Sequence, residues 1–208
     1  MADPMRRILV TGLMVFASIS SPSAADVSKT YSYFTVAGTT LDELEQQLSM
    51  RGPQVKSTGR RHPGATQMQF TTKLGFGEKN GYCRVTQAKV LVRAKVILPR
   101  WGQRSRAEQD VRVVWDTLSS DIKRHEEGHV VIARNNARDL EKALLALDRK
   151  KTCEAVSANA KALADKMLAK HDKEQEYFDR VEGINFQRRL TRLLQYRLER
   201  IGAGKLPG

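Results

Sequence analysis

Five consecutive residues, His125-Glu126-Glu127-Gly128-His129, have the types and spacing with which a hydrolase holds a metal ion and uses it. Residues four apart on an α-helix lie one above the other, so both imidazoles can reach a single ion from one face. Glu126 follows His125 by about 100° of rotation, which sets a carboxylate beside that ion, where a general base is needed. Glu127 points roughly 200° from His125 and reads as a solvated helix residue. Zn2+ is the expected cofactor, because it takes imidazole and carboxylate ligands in a tetrahedral set and in hydrolases keeps one position open for water. Short matches of this kind also arise by chance, so the helix around the motif has to support it.

The surrounding pattern is helical from about residue 105 to about residue 200. Val111, Trp115, Leu118 and Ile122 recur at helical steps, and His125, His129, Ile132, Asn136, Leu140 and Leu147 continue the same seam. A basic tip, Arg149-Lys150-Lys151-Thr152, then reverses the chain. The returning helix carries Val156, Ala160, Leu163, Met167, His171, Phe178 and Val181 on its inner side. Gly183 is expected to break this helix, leaving residues 186–208 as a basic amphipathic helical tail with Phe186, Leu190, Leu193, Leu194 and Ile201 along one side.

A catalytic zinc site needs a third protein ligand, and the hairpin geometry shows where to look for it. Two antiparallel helices that turn around residues 150–152 and rise equally per residue place His129 opposite 172–175 and His125 opposite 176–179. In and near those windows the sequence offers His171, Glu174, Gln175 and Asp179, and His171, Gln175 and Asp179 share one face. His171 is the first choice because it interrupts an apolar seam. Asp179 is the second, either as a ligand or as a carboxylate that holds a ligating imidazole by its other nitrogen. His62, beside Pro63 in a polar stretch, reads as a surface residue.

Strand patterns fill the first half. Residues 29–36 are rich in aromatic and β-branched types, and Thr40 can cap a short helix over 41–50 that Gly52-Pro53 ends. Residues 66–74 and 82–98 alternate around the hairpin turn Glu78-Lys79-Asn80-Gly81, with Pro99 expected to end the second strand. Thr86, Ala88, Val90, Val92, Ala94, Val96 and Leu98 form its expected buried face. The fold class is therefore α+β: a small antiparallel sheet with one short helix, then a long antiparallel helical hairpin bearing the histidines, then a C-terminal amphipathic helix.

The chain has 208 residues, enough for one domain once its start is set aside. Arg6 and Arg7 precede an apolar run at 8–19 that is too short to span a bilayer, and Ser23-Ala24-Ala25 offers small residues for cleavage. Residues 1–25 read as a signal peptide, residues 26–185 as the zinc-protease-like domain, and the expected location is periplasmic or secreted with no later transmembrane segment. Export into an oxidising compartment makes the two cysteines, Cys83 and Cys153, an expected disulfide. Net charge is +13, with 36 basic against 23 acidic residues, so anionic envelope surfaces are expected partners beside a peptide or protein substrate. The compartment excludes nucleic acid.

Several further segments strengthen this reading. The opening run Tyr31-Ser32-Tyr33-Phe34-Thr35-Val36-Ala37-Gly38, the helix start at Thr40, Gly81-Tyr82-Cys83-Arg84-Val85 and Leu98-Pro99-Arg100-Trp101 belong together with the histidine motif. With Cys153, Ala169-Lys170-His171 and Gln175 added, the chain resembles the bacterial predicted secreted zinc-dependent proteases known as domain of unknown function 922. The resemblance implies a signal-bearing α+β domain with paired cysteines and a metallopeptidase centre. Members of that family usually close the second helix with Tyr-Asp, two residues, Thr, one residue and His-Gly. Here the run is Phe178-Asp179-Arg180-Val181-Glu182-Gly183-Ile184-Asn185, which keeps Asp179 but lacks the Thr, His and Gly. A role held by that histidine would pass to Glu182 as a ligand, or to Tyr177 or Tyr196 as a hydrogen-bond donor. The expected function is an exported zinc-dependent peptide hydrolase with Glu126 as its base. The alternative is a non-catalytic exported module, with structural or lost metal, that binds anionic envelope components.

Overall fold

The computed structural model describes residues 26–55 and 58–207, so the signal-peptide expectation lies outside the described residues. In chain order the elements are β1 (Asp26–Val36), α1 (Leu41–Arg51), β2 (Gln54–Val55), β3 (Arg60–Arg61), β4 (Ala65–Lys79), β5 (Tyr82–Trp101), a short 3-10 turn (Arg104–Arg106), α2 (Gln109–Leu145) and α3 (Cys153–Gly202). The fold is α+β as expected. The main sheet is mixed rather than wholly antiparallel, in the order β1-β5-β4, because β1 runs parallel to β5 while β4 and β5 form a hairpin. Asn80 and Gly81 both take positive φ, +54° and +71°, the backbone that a tight two-residue hairpin turn requires.

One register shift corrects the expected burial of β5. Gly75 pairs with Gln87 but Phe76 pairs with Val85, so Thr86 faces no partner and bulges. One extra residue inverts the alternation. Val90, Val92, Ala94, Val96 and Leu98 face the helices as expected, but below the bulge Cys83 and Val85 are buried instead of Thr86. Pro99 does not end the strand either. It lies beyond the last β4 partner, where that flank of β5 needs no donor, and pairing with β1 carries the strand on to Trp101.

α2 lies across the inner face of the sheet. Ala133 and Ala137, both fully buried, let its axis approach Val90 and Val92, with Leu140, Leu144 and Ala160 of α3 completing the cluster. Val90 stands one residue before the β1 pairing that starts at Asp26 and Leu91, and its N–H has no strand partner on that flank among the described residues. The buried carboxylate of Glu141 accepts it at 2.7 Å. At the other end α1, capped by Thr40 and Glu43 in a reciprocal box, packs Leu44 and Leu48 against Trp101 and Trp115.

α3 is one continuous helix through Gly183, so the expected break and separate tail do not occur. A glycine inside a helix costs about 1 kcal/mol, and the packing of the second half of α3 on α2 outweighs it. The buried Asp121 of α2 receives Arg189 at 3.0 Å and Arg124 at 2.9 Å, and Arg189 also reaches Glu182 at 3.3 Å. Burial alone would raise the Asp121 pKa, but the two guanidinium groups outweigh it and hold the carboxyl below its usual range. At the turn, Cys83 and Lys150 exchange backbone hydrogen bonds of 2.8 and 2.9 Å. Cys83 is disulfide-bonded to Cys153, the first residue of α3, across a sequence separation of 70. None of the described helices is long and apolar enough to cross a membrane.

Replacing both cysteines by serine should lower unfolding free energy in denaturant titrations by as much as about 4 kcal/mol, the loop-closure entropy of a segment this long. Asp121→Asn should cost about 3 kcal/mol at neutral pH, because it removes the buried carboxylate that pairs with both Arg189 and Arg124. Since the folded-state pKa of Asp121 is depressed, its contribution is complete above the ordinary carboxylate range and is lost as pH falls from there through the lowered folded-state value. The stability gap between wild type and Asp121→Asn should therefore close in acid.

Candidate metal centre

His125 and His129 sit on successive turns of α2 on the side facing α3, beside rather than within the most buried stripe, which runs through Glu126, Val130, Ala133 and Ala137. Their Nε2 atoms are 3.2 Å apart. Asp179 of α3 brings Oδ1 to 3.1 Å from Nε2 of His125 and 3.0 Å from Nε2 of His129. These three residues are a group able to hold a metal ion. Donors bound to one Zn2+ at about 2.0–2.1 Å in a tetrahedron stand about 3.3 Å apart, close to the observed triangle. The residues present therefore fit the ion that the sequence motif calls for.

The hairpin geometry placed the windows correctly: His129 meets Gln175, and His125 meets Asp179. His171, the first choice for third ligand, is not in the donor group. It is buried edge-on against the Phe70 ring, its Nε2 receives Gln175 Nε2 at 2.8 Å, and its Nδ1 lies 3.1 Å from Asp172. Gln175 does more than the sequence reading gave it. Its Oε1 accepts from Nδ1 of His129, and its Nε2 lies 3.1 Å from the His129 carbonyl. With the proton fixed on Nδ1, the Nε2 lone pair of His129 is directed at the triangle.

Glu182 is not a donor to the triangle. It pairs with Arg124 and lies 3.7 Å from Nδ1 of His125, so it braces that ring from behind, the role considered for Asp179. Tyr177 and Tyr196 are 60% and 56% exposed and face Arg180 and Arg200, away from the centre. Glu127 is not merely solvated. It accepts from Lys29 at 3.0 Å and from the Tyr31 hydroxyl, which joins α2 to β1.

The electrostatics suit a cation. Burial would raise the pKa of Asp179, but hydrogen bonds from His125 and His129 outweigh it and hold the carboxyl well below the usual range. Burial would likewise lower the His129 pKa, yet Asp179 and Gln175 outweigh it and raise it. Glu126 lies apart from the triangle and is only 5% exposed. Burial pushes its pKa up, although the Thr66 hydroxyl donates to Oε2 at 2.9 Å. A buried carboxylate with a raised proton affinity is suited to accept and release a proton.

Three contributors escaped the sequence reading. Gly64 lets the chain close over Glu126, since a Cβ there would lie 2.8 Å from Oε1. Thr66 holds that carboxylate in place. Phe178, counted only as an apolar seam residue, stacks on His125 at 5.0 Å and meets His129 edge-on at 5.1 Å. Gly128 makes room for it, because a Cβ at 128 would lie 2.6 Å from Cζ of that ring. The glycine within the motif was the available signal. His62, read as a surface residue, is half-buried and lines the cavities on both sides of the donors.

Gly128→Ala should push Phe178 off the imidazoles and lower metal affinity on the order of tenfold in a chelator-competition titration. Gly183→Ala, whose added Cβ meets only open space, should leave that affinity unchanged.

Among known proteins, a family model described as "Bacterial protein of unknown function (DUF922)" matches residues 31–187, a span that contains the donor triangle, Glu126, Gln175 and Glu182. No curated protein and no solved structure matches the chain. With three-quarters of its length covered, including every residue of the centre, the chain belongs to the DUF922 family of bacterial proteins of unknown function.

Proposed function

We propose that the protein is an exported zinc-dependent peptide hydrolase in which His125, His129 and Asp179 hold the ion and Glu126 is the general base. The observation that carries this reading is the triangle of two Nε2 atoms and one Oδ1 with edges of 3.0–3.2 Å, open to a cleft and flanked by a buried carboxylate. Two imidazoles and one carboxylate are a ligand set that suits Zn2+ in its catalytic form. When bound, the ion supplies a Lewis acid that acidifies water and polarises a carbonyl oxygen.

The side chains of the chain account for the rest. Glu126 takes a proton from the attacking water and delivers it to the leaving amine, and the burial that raises its proton affinity suits it to both transfers. Thr66 and Gly64 fix the carboxylate, so little reorganisation is needed when charge shifts. Gln175 and Glu182 orient the two imidazoles through their far nitrogens. Phe178 stacks on the His125 ring and meets His129 edge-on, which limits how far either ring can turn.

The second reading, an exported module that binds anionic envelope polymers, is favoured by one feature. Arg93 and Lys95 of β5 stand exposed beside Lys89 on the face of the sheet turned from the helices, and among the described residues only Lys89 of the three meets an acid, Asp26, at 3.5 Å.

Purified protein should contain one zinc per chain by elemental analysis, and His129→Ala or Asp179→Ala should abolish that content, whereas His171→Ala should retain it. Glu126→Gln should keep the metal and lose peptide-cleaving activity by about 10²–10⁴-fold. Full activity in Glu126→Gln, or metal-free wild-type protein with a normally folded spectrum and no cleavage, would decide against the hydrolase.

A further inference from the structure

The donor triangle lies partway along a continuous trough. Three cavities of about 420, 270 and 480 Å3 follow one another along α2. The first two meet at His62, Gly64, Glu126 and Asp179, and the second and third share Pro63 and Phe186. The floor steps along α2 from Trp115 and Leu118 through Ile122 and Glu126 to His129. One wall is α3, running the opposite way from Leu190 to His171. The other is the chain from Arg61 into β4, whose outer edge pairs with no other strand among the described residues. From Val114 to His129 a helix rises about 22 Å. An extended chain covers that distance in about six or seven residues.

The trough changes character along its length. Its polar side chains gather around the donors, among them His62, Thr66 and Gln175. Beside the donors Arg189 is paired with both Asp121 and Glu182, so the carboxylate of a chain end finds no unpaired arginine there, and the trough runs on past the donors in both directions. At the far end, between α1 and α3, it becomes apolar, with Leu44, Leu48, Leu118 and Leu190 around Trp115. Leu41 and Phe186 on its rim are 44% and 36% exposed. Large apolar side chains fit such a groove, and the free edge of β4 offers alternate backbone N–H and C=O groups to an extended backbone.

We infer that the trough binds a polypeptide in extended form across the donor triangle and seats a large apolar side chain of that polypeptide in the groove between α1 and the end of α3. Resting on the hydrolase reading, this makes the reaction an endopeptidase cut within flexible segments. Water adds across the peptide C–N bond, with hydroxyl to the carbonyl carbon and a proton to the amine, and no other reactant is required.

The test uses the zinc-loaded Glu126→Gln protein, titrated by calorimetry with ten-residue peptides that differ only in carrying leucine and phenylalanine, or serine, in one half. The apolar peptide should bind at least tenfold more tightly. Leu190→Glu should erase that preference, and Leu41→Glu, at an exposed site on the opposite wall, should do the same without altering the melting temperature. Equal affinity for the two peptides, or a preference that survives Leu41→Glu, would overturn the trough. So would a wild-type dimer that Leu41→Glu converts to a monomer, because a second copy would then fill the groove. Wild-type cleavage that ignores the apolar residues would overturn the trough and leave the hydrolase standing. A preference in binding with no cleavage by wild type supports the trough and refutes the hydrolase instead.

Discussion

The register of α3 on α2 is the constraint on which everything else depends. Two imidazoles on one helix are only half of a centre, and they become one when an oxygen donor from another element is held within about 3 Å of both. The Cys83–Cys153 bond fixes where α3 begins, and the Asp121, Arg124, Glu182 and Arg189 cluster fixes its far half, with Asp179 between these two anchors. A slip of α3 by one residue would turn Asp179 about 100° from the triangle. Both anchors oppose that: one is covalent, and the other pairs the buried Asp121 of α2 with Arg189 of α3, so that moving α3 would leave a buried carboxylate short of its partner.

The sheet serves the same centre from the other side. β5 gives α2 a flat apolar bed at Val90 and Val92, and the start of β4 presses against Glu126. Close approach is achieved by leaving atoms out. Gly64 and Gly128 occupy positions where a Cβ would collide with the Glu126 carboxylate and with the Phe178 ring that packs on the histidines. The bulge at Thr86 is part of the same arrangement, because it turns Cys83 inward, where it can meet α3.

The centre works against stability, as functional sites often do. Lone pairs of two imidazoles and a carboxylate converge, and a neighbouring carboxylate is buried with its proton affinity raised. A cation relieves the first conflict and a proton the second. The surrounding structure holds the groups in place regardless, through Gln175, Thr66 and Glu182, none of which belongs to the motif that first marked the site.

The sequence by itself determined the parts whose signals are local. Helical periodicity located α2 and α3, the Asn-Gly pair located the hairpin, Thr40 located the start of α1, and five residues marked two of the possible metal ligands, because all of these depend on neighbours within a turn or a pair of strands. Two cysteines left only one pairing. Even the facing windows on the hairpin followed from equal rise per residue. Tertiary structure alone decided which donor in and near those windows meets the histidines: the buried His171 faces Phe70 and Gln175, while Asp179, its side chain half exposed, reaches both imidazoles. It alone carried α3 through Gly183, because ion pairs from α2 outweigh a local helix breaker, and it alone aligned β1 with β5 in parallel. Each of those outcomes depends on atoms far apart in the chain, whose distances no spacing in the sequence encodes.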